Sequence, residues 1–158
     1  MWGVTIVSEE PTAVSNSSEF YFSAIVEHGC GRGRRLGFPT ANLGVTPEQV
    51  ATLPRGVHVA RVRWGREGRD YGAVINIGVR PTFSERQLVV EAHILDFSGD
   101  LYGGNLEVRV LQRLREERRF ANVESLVFQL KQDVEMARRL WSERADNILQ
   151  PNTGGAGS

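Results

Sequence analysis

The chain has 158 residues, 41% of them hydrophobic and 24% charged, with 19 basic side chains balancing 19 acidic ones. That length suits one domain with a sizeable core, and zero net charge argues against a general binder of nucleic acid or of an anionic membrane. Lys131 is the only lysine, with no glycine loop before it, and Cys30 the only cysteine, which excludes a P-loop, the strand lysine of protein kinases, an intrachain disulfide and a cysteine-bound zinc.

Residues 1–19 read as a flexible leader, in which a short apolar piece (Val4, Ile6, Val7) gives way to Glu9-Glu10-Pro11 and a Ser/Asn cluster without the basic start of a secretory signal. Residues 20–150 read as one domain, and 151–158 as a disordered tail rich in Gly, Ser, Thr and Asn. No apolar run approaches the length of a membrane span. A cytoplasmic protein with no membrane or nucleic-acid partner is therefore expected. Nothing in the residues addresses oligomeric state, and a monomer is the simplest expectation.

After a strand over residues 20–27 comes Gly31-Arg32-Gly33-Arg34-Arg35-Leu36-Gly37-Phe38-Pro39-Thr40-Ala41-Asn42. Three glycines and three arginines in seven residues do not predict a packed element. Glycines let successive N–H groups point into one concavity, and arginine forks suit phosphate oxygens. Pro39 then stiffens the chain, and in an extended run Thr40 and Asn42 share a side. A hydroxyl and an amide oxygen beside an anion-binding loop suit Mg²⁺, which takes one or two protein oxygens when phosphates supply the rest. The same residues also fit a solvated Arg/Gly hairpin loop leading into a polar strand start.

A loop over 46–56 leads into strands at 57–64 and 71–77, followed by an ordered loop, Asn76-Ile77-Gly78-Val79-Arg80-Pro81-Thr82-Phe83, a strand at 87–97 and another at 106–114. Short strands without intervening helices predict an antiparallel sandwich or closed barrel. The period then changes. Val123, Val127, Leu130, Val134, Ala137 and Trp141 form the stripe of an amphipathic helix that Asn122 can cap, with Trp141 as packing.

In the strand Leu88-Val89-Val90-Glu91-Ala92-His93-Ile94, alternation puts Glu91 and His93 opposite an apolar face of Val90, Ala92 and Ile94. A lone mid-strand carboxylate usually faces solvent. Beside an anion loop it is also the base that phosphoryl transfer to a hydroxyl requires. His93 reads as structural or as a neighbour in a hydrogen-bond network, and His28 and His58 have no ligand spacing.

Taken together, G-R-G-R-x-L-G-F-P-T-A-N, N-I-G-x-R-P-T-F, V-E-A-H-I-L-D-F with D-L-Y-G, and L-R-x-E-x-x-F before the helix resemble the riboflavin kinase (flavokinase) family in order and spacing, over roughly residues 20–144. The resemblance implies a mainly β fold, a closed six-stranded antiparallel Greek-key barrel with a long C-terminal α-helix packed on it. It also implies ATP-dependent, Mg-assisted phosphorylation of riboflavin to FMN. By position it makes Thr40 and Asn42 the Mg²⁺ residues and Glu91 the base at the ribityl 5′-hydroxyl. Gly31, Arg32, Gly33, Arg34, Gly37, Pro39, Thr40, Asn42 and Tyr102 fall on the nucleotide side, and Asn76, Arg115 and Phe120 on the flavin side. Ala24 stands where the family usually shows glycine. About twenty residues ahead of the first strand are too few for the adenylyltransferase domain that bacterial relatives often carry, so FMN is the expected end product. The alternative is a non-catalytic flavin-binding sensor or carrier on the same barrel.

Overall fold

The computed structural model describes residues 20–29, 31–65, 68–81 and 84–149. The expected leader, Cys30, Thr82, Phe83 and the tail lie outside the described residues. Six strands, β1 (Phe20–Glu27), β2 (Ala41–Gly44), β3 (Gly56–Trp64), β4 (Asp70–Pro81), β5 (Arg86–Ile94) and β6 (Asn105–Arg115), close into an antiparallel barrel in the order β1-β2-β5-β4-β3-β6. The meander β3-β4-β5 has β2 beside one end and β6 beside the other, the Greek-key arrangement. Two short helices, α1 (Arg32–Arg35) and α2 (Pro47–Thr52), and one long one, α3 (Val123–Leu149), complete the fold.

The barrel interior follows from period-two alternation. Phe22, Ala24 and Val26 of β1 pack with Ile75 and Ile77 of β4, Val90 and Ala92 of β5, and Leu106, Val108 and Val110 of β6. Ala24 is 4% exposed and sits in this core. A second apolar layer lies outside the barrel, where Val57, Val59, Val74 and Leu111 pack against Ala137, Val134, Leu140 and Trp141 of α3. Trp141 is therefore packing, as expected, and it lies against Gly72. Strand β3 serves both layers by alternation, Val57 and Val59 outward and Ala60 and Val62 inward, while register shifts leave extra residues in β6 opposite it, where Val110 faces the interior and Leu111 the outer layer.

Asn122 caps α3, its Oδ1 accepting from the Ser125 N–H at 2.8 Å. Val123, expected on the apolar stripe, is 51% exposed because the stripe meets the barrel only further along the helix. A buried ion pair fixes that seat. Arg115, at the end of β6, donates from Nε (3.0 Å) and Nη2 (2.8 Å) to Asp133 of α3.

Four expectations need correction. The Gly/Arg stretch is ordered as the helical turn α1, since arginine favours helix and Gly37, at φ 87°, turns the chain out of it. The 46–56 loop contains α2, stabilised by a capping box in which Thr46 Oγ1 accepts from the Gln49 N–H and Gln49 Oε1 from the Thr46 N–H. Residues 76–81 form strand and not loop, paired with 86–91 of β5. The strand expected over 87–97 ends at Ile94, with Asp96 at φ 54° breaking the ladder.

Two stability predictions follow from this packing. Asp133→Ala leaves the largely buried Arg115 guanidinium without its carboxylate and is expected to lower unfolding free energy by about 3 kcal/mol, whereas Arg138→Ala, which breaks the exposed pair with Asp96, costs less than about 1 kcal/mol. Urea denaturation of both variants checks the contrast. His58 is 2% exposed, and burial holds its imidazole below the ordinary value despite the Gly56 backbone. As pH falls below about 6.5, the unfolded chain takes up a proton that the folded state resists, so stability decreases with acidity. His58→Gln should flatten that slope in denaturation curves measured across pH.

Candidate active site

Strand pairing assembles a polar row on the outside of the barrel. Asn42 of β2 is opposite Glu91 of β5, and Glu91 is opposite Asn76 of β4. Their sequence neighbours Leu43, Val90, Ile75 and Ile77 point into the core, so these three project outward. The row continues to Glu27 on β1 and, across the apolar Val57 of β3, to Arg115 on β6.

Two cavities open along this row. The smaller, about 400 Å³, lies between the outer sheet face, the α1 segment and α3. Thr40, Asn42, Asn76, Arg80, Glu91 and His93 form its polar wall, and Val57, Val74, Leu126, Leu130 and Val134 its apolar wall. The larger, about 760 Å³, lies between the 27–42 segment and the 97–102 turn and includes Glu27, His28, Arg34, Pro39, Asp100 and Tyr102. Gly31, Thr40 and Asn42 line both. The cavities therefore meet at the two residues expected to hold a metal, with the expected base in the smaller one.

Hydrogen bonds hold the junction. Arg80 Nη2 donates to Glu91 Oε1 at 2.6 Å. The Asn42 amide fits with its nitrogen donating to Glu91 Oε1 (3.1 Å) and its oxygen accepting from the Gly29 N–H (3.2 Å). A Cβ at Gly29 would overlap the Asn42 amide and displace it from this position. His93 Nδ1 lies 2.8 Å from the Pro39 carbonyl, and since a carbonyl only accepts, Nδ1 carries the proton. That bond ties the Thr40 approach to β5 two residues from Glu91, with the Phe38 ring edge-on to the imidazole. At the mouth of the larger cavity His28 stacks on Tyr102, ring centroids 3.5 Å apart, and the Tyr102 N–H donates to Asp100 Oδ1 at 2.9 Å.

The donor set at the junction is the Thr40 hydroxyl, the Asn42 amide and the Glu91 carboxylate. Among the described residues no group of three or more His, Cys, Asp or Glu could hold a metal ion. A hard cation here would draw its other ligands from outside the protein, and the oxygen donors fit Mg²⁺ in the company of phosphates.

The sequence-predicted residues are placed unevenly. Gly33 lines the smaller cavity, Arg34 and Pro39 the larger, Gly31 both, and Gly37 neither; for Arg32 only the backbone is described. Asn76 and Arg115 share the cavity of Glu91, but the Arg115 guanidinium is engaged with Asp133 and with the Glu116 carbonyl (3.0 Å). Phe120 lies under that guanidinium, 5.7 Å from ring centroid to Cζ, and lines a separate surface hollow with Arg118 and Phe128. Arg80, His28 and Asp133 had no role assigned from sequence. Reading 76–81 as strand would have put Asn76, Gly78 and Arg80 on one face with period two. Asp133 interrupts the apolar stripe of α3 between Leu130 and Val134, the mark of a buried partner.

The geometry can be set beside known proteins. The family model described as Flavokinase: Riboflavin kinase matches residues 16–141. The bifunctional riboflavin kinase/FMN adenylyltransferase of Bacillus subtilis is 35% identical over 126 residues, which is 78% of this chain and 39% of that protein. A crystal structure named as a macrolide-efflux protein from Streptococcus pneumoniae superposes with a TM-score of 0.67 at 36% identity, again over 77% of this chain and 39% of the other. This chain thus spans about two fifths of those longer proteins. The riboflavin kinase of Trypanosoma brucei is similar over 91% of this chain and 94% of its own, with a TM-score of 0.66 at 25% identity. Among the described residues no helix is long and apolar enough to cross a membrane. With its six-stranded closed barrel, its C-terminal helix and a family match over most of its length, the chain belongs to the riboflavin kinase family.

Proposed function

We propose that this chain transfers the terminal phosphoryl group of ATP to the 5′-hydroxyl of riboflavin, giving FMN and ADP. The observation that carries the reading is the meeting of two cavities at Thr40 and Asn42, with Glu91 beside the junction. Phosphoryl transfer needs two substrates brought nose to nose with their reacting ends at one point, and positioning supplies much of the rate.

The larger cavity suits the nucleotide. Backbone N–H groups around Gly31 and the Arg34 guanidinium suit phosphates, and the His28–Tyr102 stack offers a flat surface at its mouth. The smaller cavity suits the flavin, its apolar wall taking the ring system and its polar wall the ribityl chain. Thr40 and Asn42 would hold Mg²⁺ through their side-chain oxygens. When bound, that ion neutralises charge on the transferring phosphoryl group.

Glu91 takes the proton of the 5′-hydroxyl as that oxygen bonds to the γ-phosphorus and the bond from phosphorus to the ADP oxygen breaks. The bonds from Arg80 and Asn42 to Oε1 hold the carboxylate toward the junction. His93 acts on position alone, keeping Pro39 and Thr40 against β5.

Purified protein with riboflavin, ATP and Mg²⁺ should yield FMN and ADP by chromatography. Tight flavin binding with no ATP consumed under any divalent metal would favour the carrier reading instead. Glu91→Gln should lower kcat by more than about tenfold while riboflavin affinity, read by flavin fluorescence, changes little; an unaltered rate would remove Glu91 as the base. Thr40→Val should raise the Mg²⁺ concentration giving half-maximal rate at fixed ATP, with flavin affinity unchanged. A Mg²⁺ dependence identical to wild type would remove Thr40 from the metal.

A further inference from the structure

Asn76 carries an unanswered hydrogen-bond requirement. Its Oδ1 is fully buried and has no partner among the described residues, although the side chain lines the smaller cavity. A buried carbonyl oxygen left unpaired is unfavourable, and such groups mark places where a donor arrives from outside the chain. The position of Asn76 narrows what that donor is. Across the ladder it faces Glu91 on one side and Val57 on the other, and Val74 lies two residues before it on the same strand. It therefore stands where the polar wall of Arg80, Glu91 and Asn42 gives way to the apolar wall of Val57, Val74 and Leu130.

We infer that Asn76 is a substrate-reading residue whose Oδ1 accepts a hydrogen bond from the 4′-hydroxyl of the ribityl chain. The inference rests on the kinase reading above, which sets the 5′-hydroxyl at Glu91. Directly opposed residues on neighbouring strands have Cβ atoms about 5 Å apart, so the substrate group nearest Asn76 is the one adjoining the reacting hydroxyl. The flavin ring lies further along, against the apolar wall. The contact selects a polyol tail over an apolar one, because a site built to accept a hydroxyl is left with an unpaired buried oxygen when that hydroxyl is missing. It also helps set the register of the chain, and so which hydroxyl reaches the base.

The test is a substrate–mutant cycle read by quenching of flavin fluorescence, which needs no turnover. Wild type and Asn76→Leu are each titrated with riboflavin, 4′-deoxyriboflavin and 2′-deoxyriboflavin. Wild type should bind the 4′-deoxy compound at least about tenfold more weakly than riboflavin, and Asn76→Leu should bind the two within about threefold of each other. Any discrimination against the 2′-deoxy compound should be the same in both proteins. Asn76→Ala repeats the comparison should the leucine variant fail to fold. The inference is overturned if wild type does not discriminate at the 4′ position, if Asn76→Leu or Asn76→Ala keeps the wild-type preference, or if the substitution abolishes discrimination at 2′ instead. Failure of wild type to phosphorylate riboflavin would count against the kinase reading, and the binding cycle would still judge Asn76.

Discussion

The shared register of β2, β5 and β4 is the constraint on which this molecule depends. With β5 in the middle, Glu91 has Asn42 on one side and Asn76 on the other. Alternation sends all three outward while Leu43, Val90, Ile75 and Ile77 go inward. A slip of one residue would put a carboxylate in the barrel core and expose valine, both unfavourable. The apolar pattern that builds the core thereby also guards the geometry of the site.

The site sits on the outer sheet face at the margin of α3, and that placement explains its mixed character. The helix covers Val57, Val59 and Val74, and the Arg115–Asp133 pair sets where its apolar stripe lands. Beyond the helix edge the same sheet face becomes polar. A cavity at such an edge has one apolar and one polar wall, which suits a ligand that is an aromatic ring system at one end and a polyol at the other. The α1 segment closes the opposite side, its Pro39 carbonyl accepting from Nδ1 of His93, 54 residues further along the chain. Backbone pairing and side-chain bonds thus bring three distant segments to one junction.

Much of this was legible in the chain itself. Strand β1, the alternation of Leu106, Val108 and Val110, the Asn122 cap and the packing of Trp141 all followed from local pattern. The missed elements were also local. Thr46-Pro47-Glu48-Gln49 holds a capping box inside a segment read as loop, and Gly78 and Pro81 suggested a loop where β4 continues as strand. The relation of Arg80 to Glu91 is visible only when 76–81 is given a period of two.

By itself the sequence determined which residues alternate, where the helix begins, that the candidate donors are oxygens, and which family the motifs resemble. These are local properties, set by backbone geometry and side-chain type within a few residues. Only the tertiary structure decided that Thr40, Asn42, Glu91 and Asn76 face one another, that Arg115 is committed to Asp133, and that Phe120 lies in a separate hollow. Period-two alternation assigns each side chain to a face but is silent on which strand lies alongside. That choice is made by closure of the barrel, where segments far apart in the chain pair to leave no open edge.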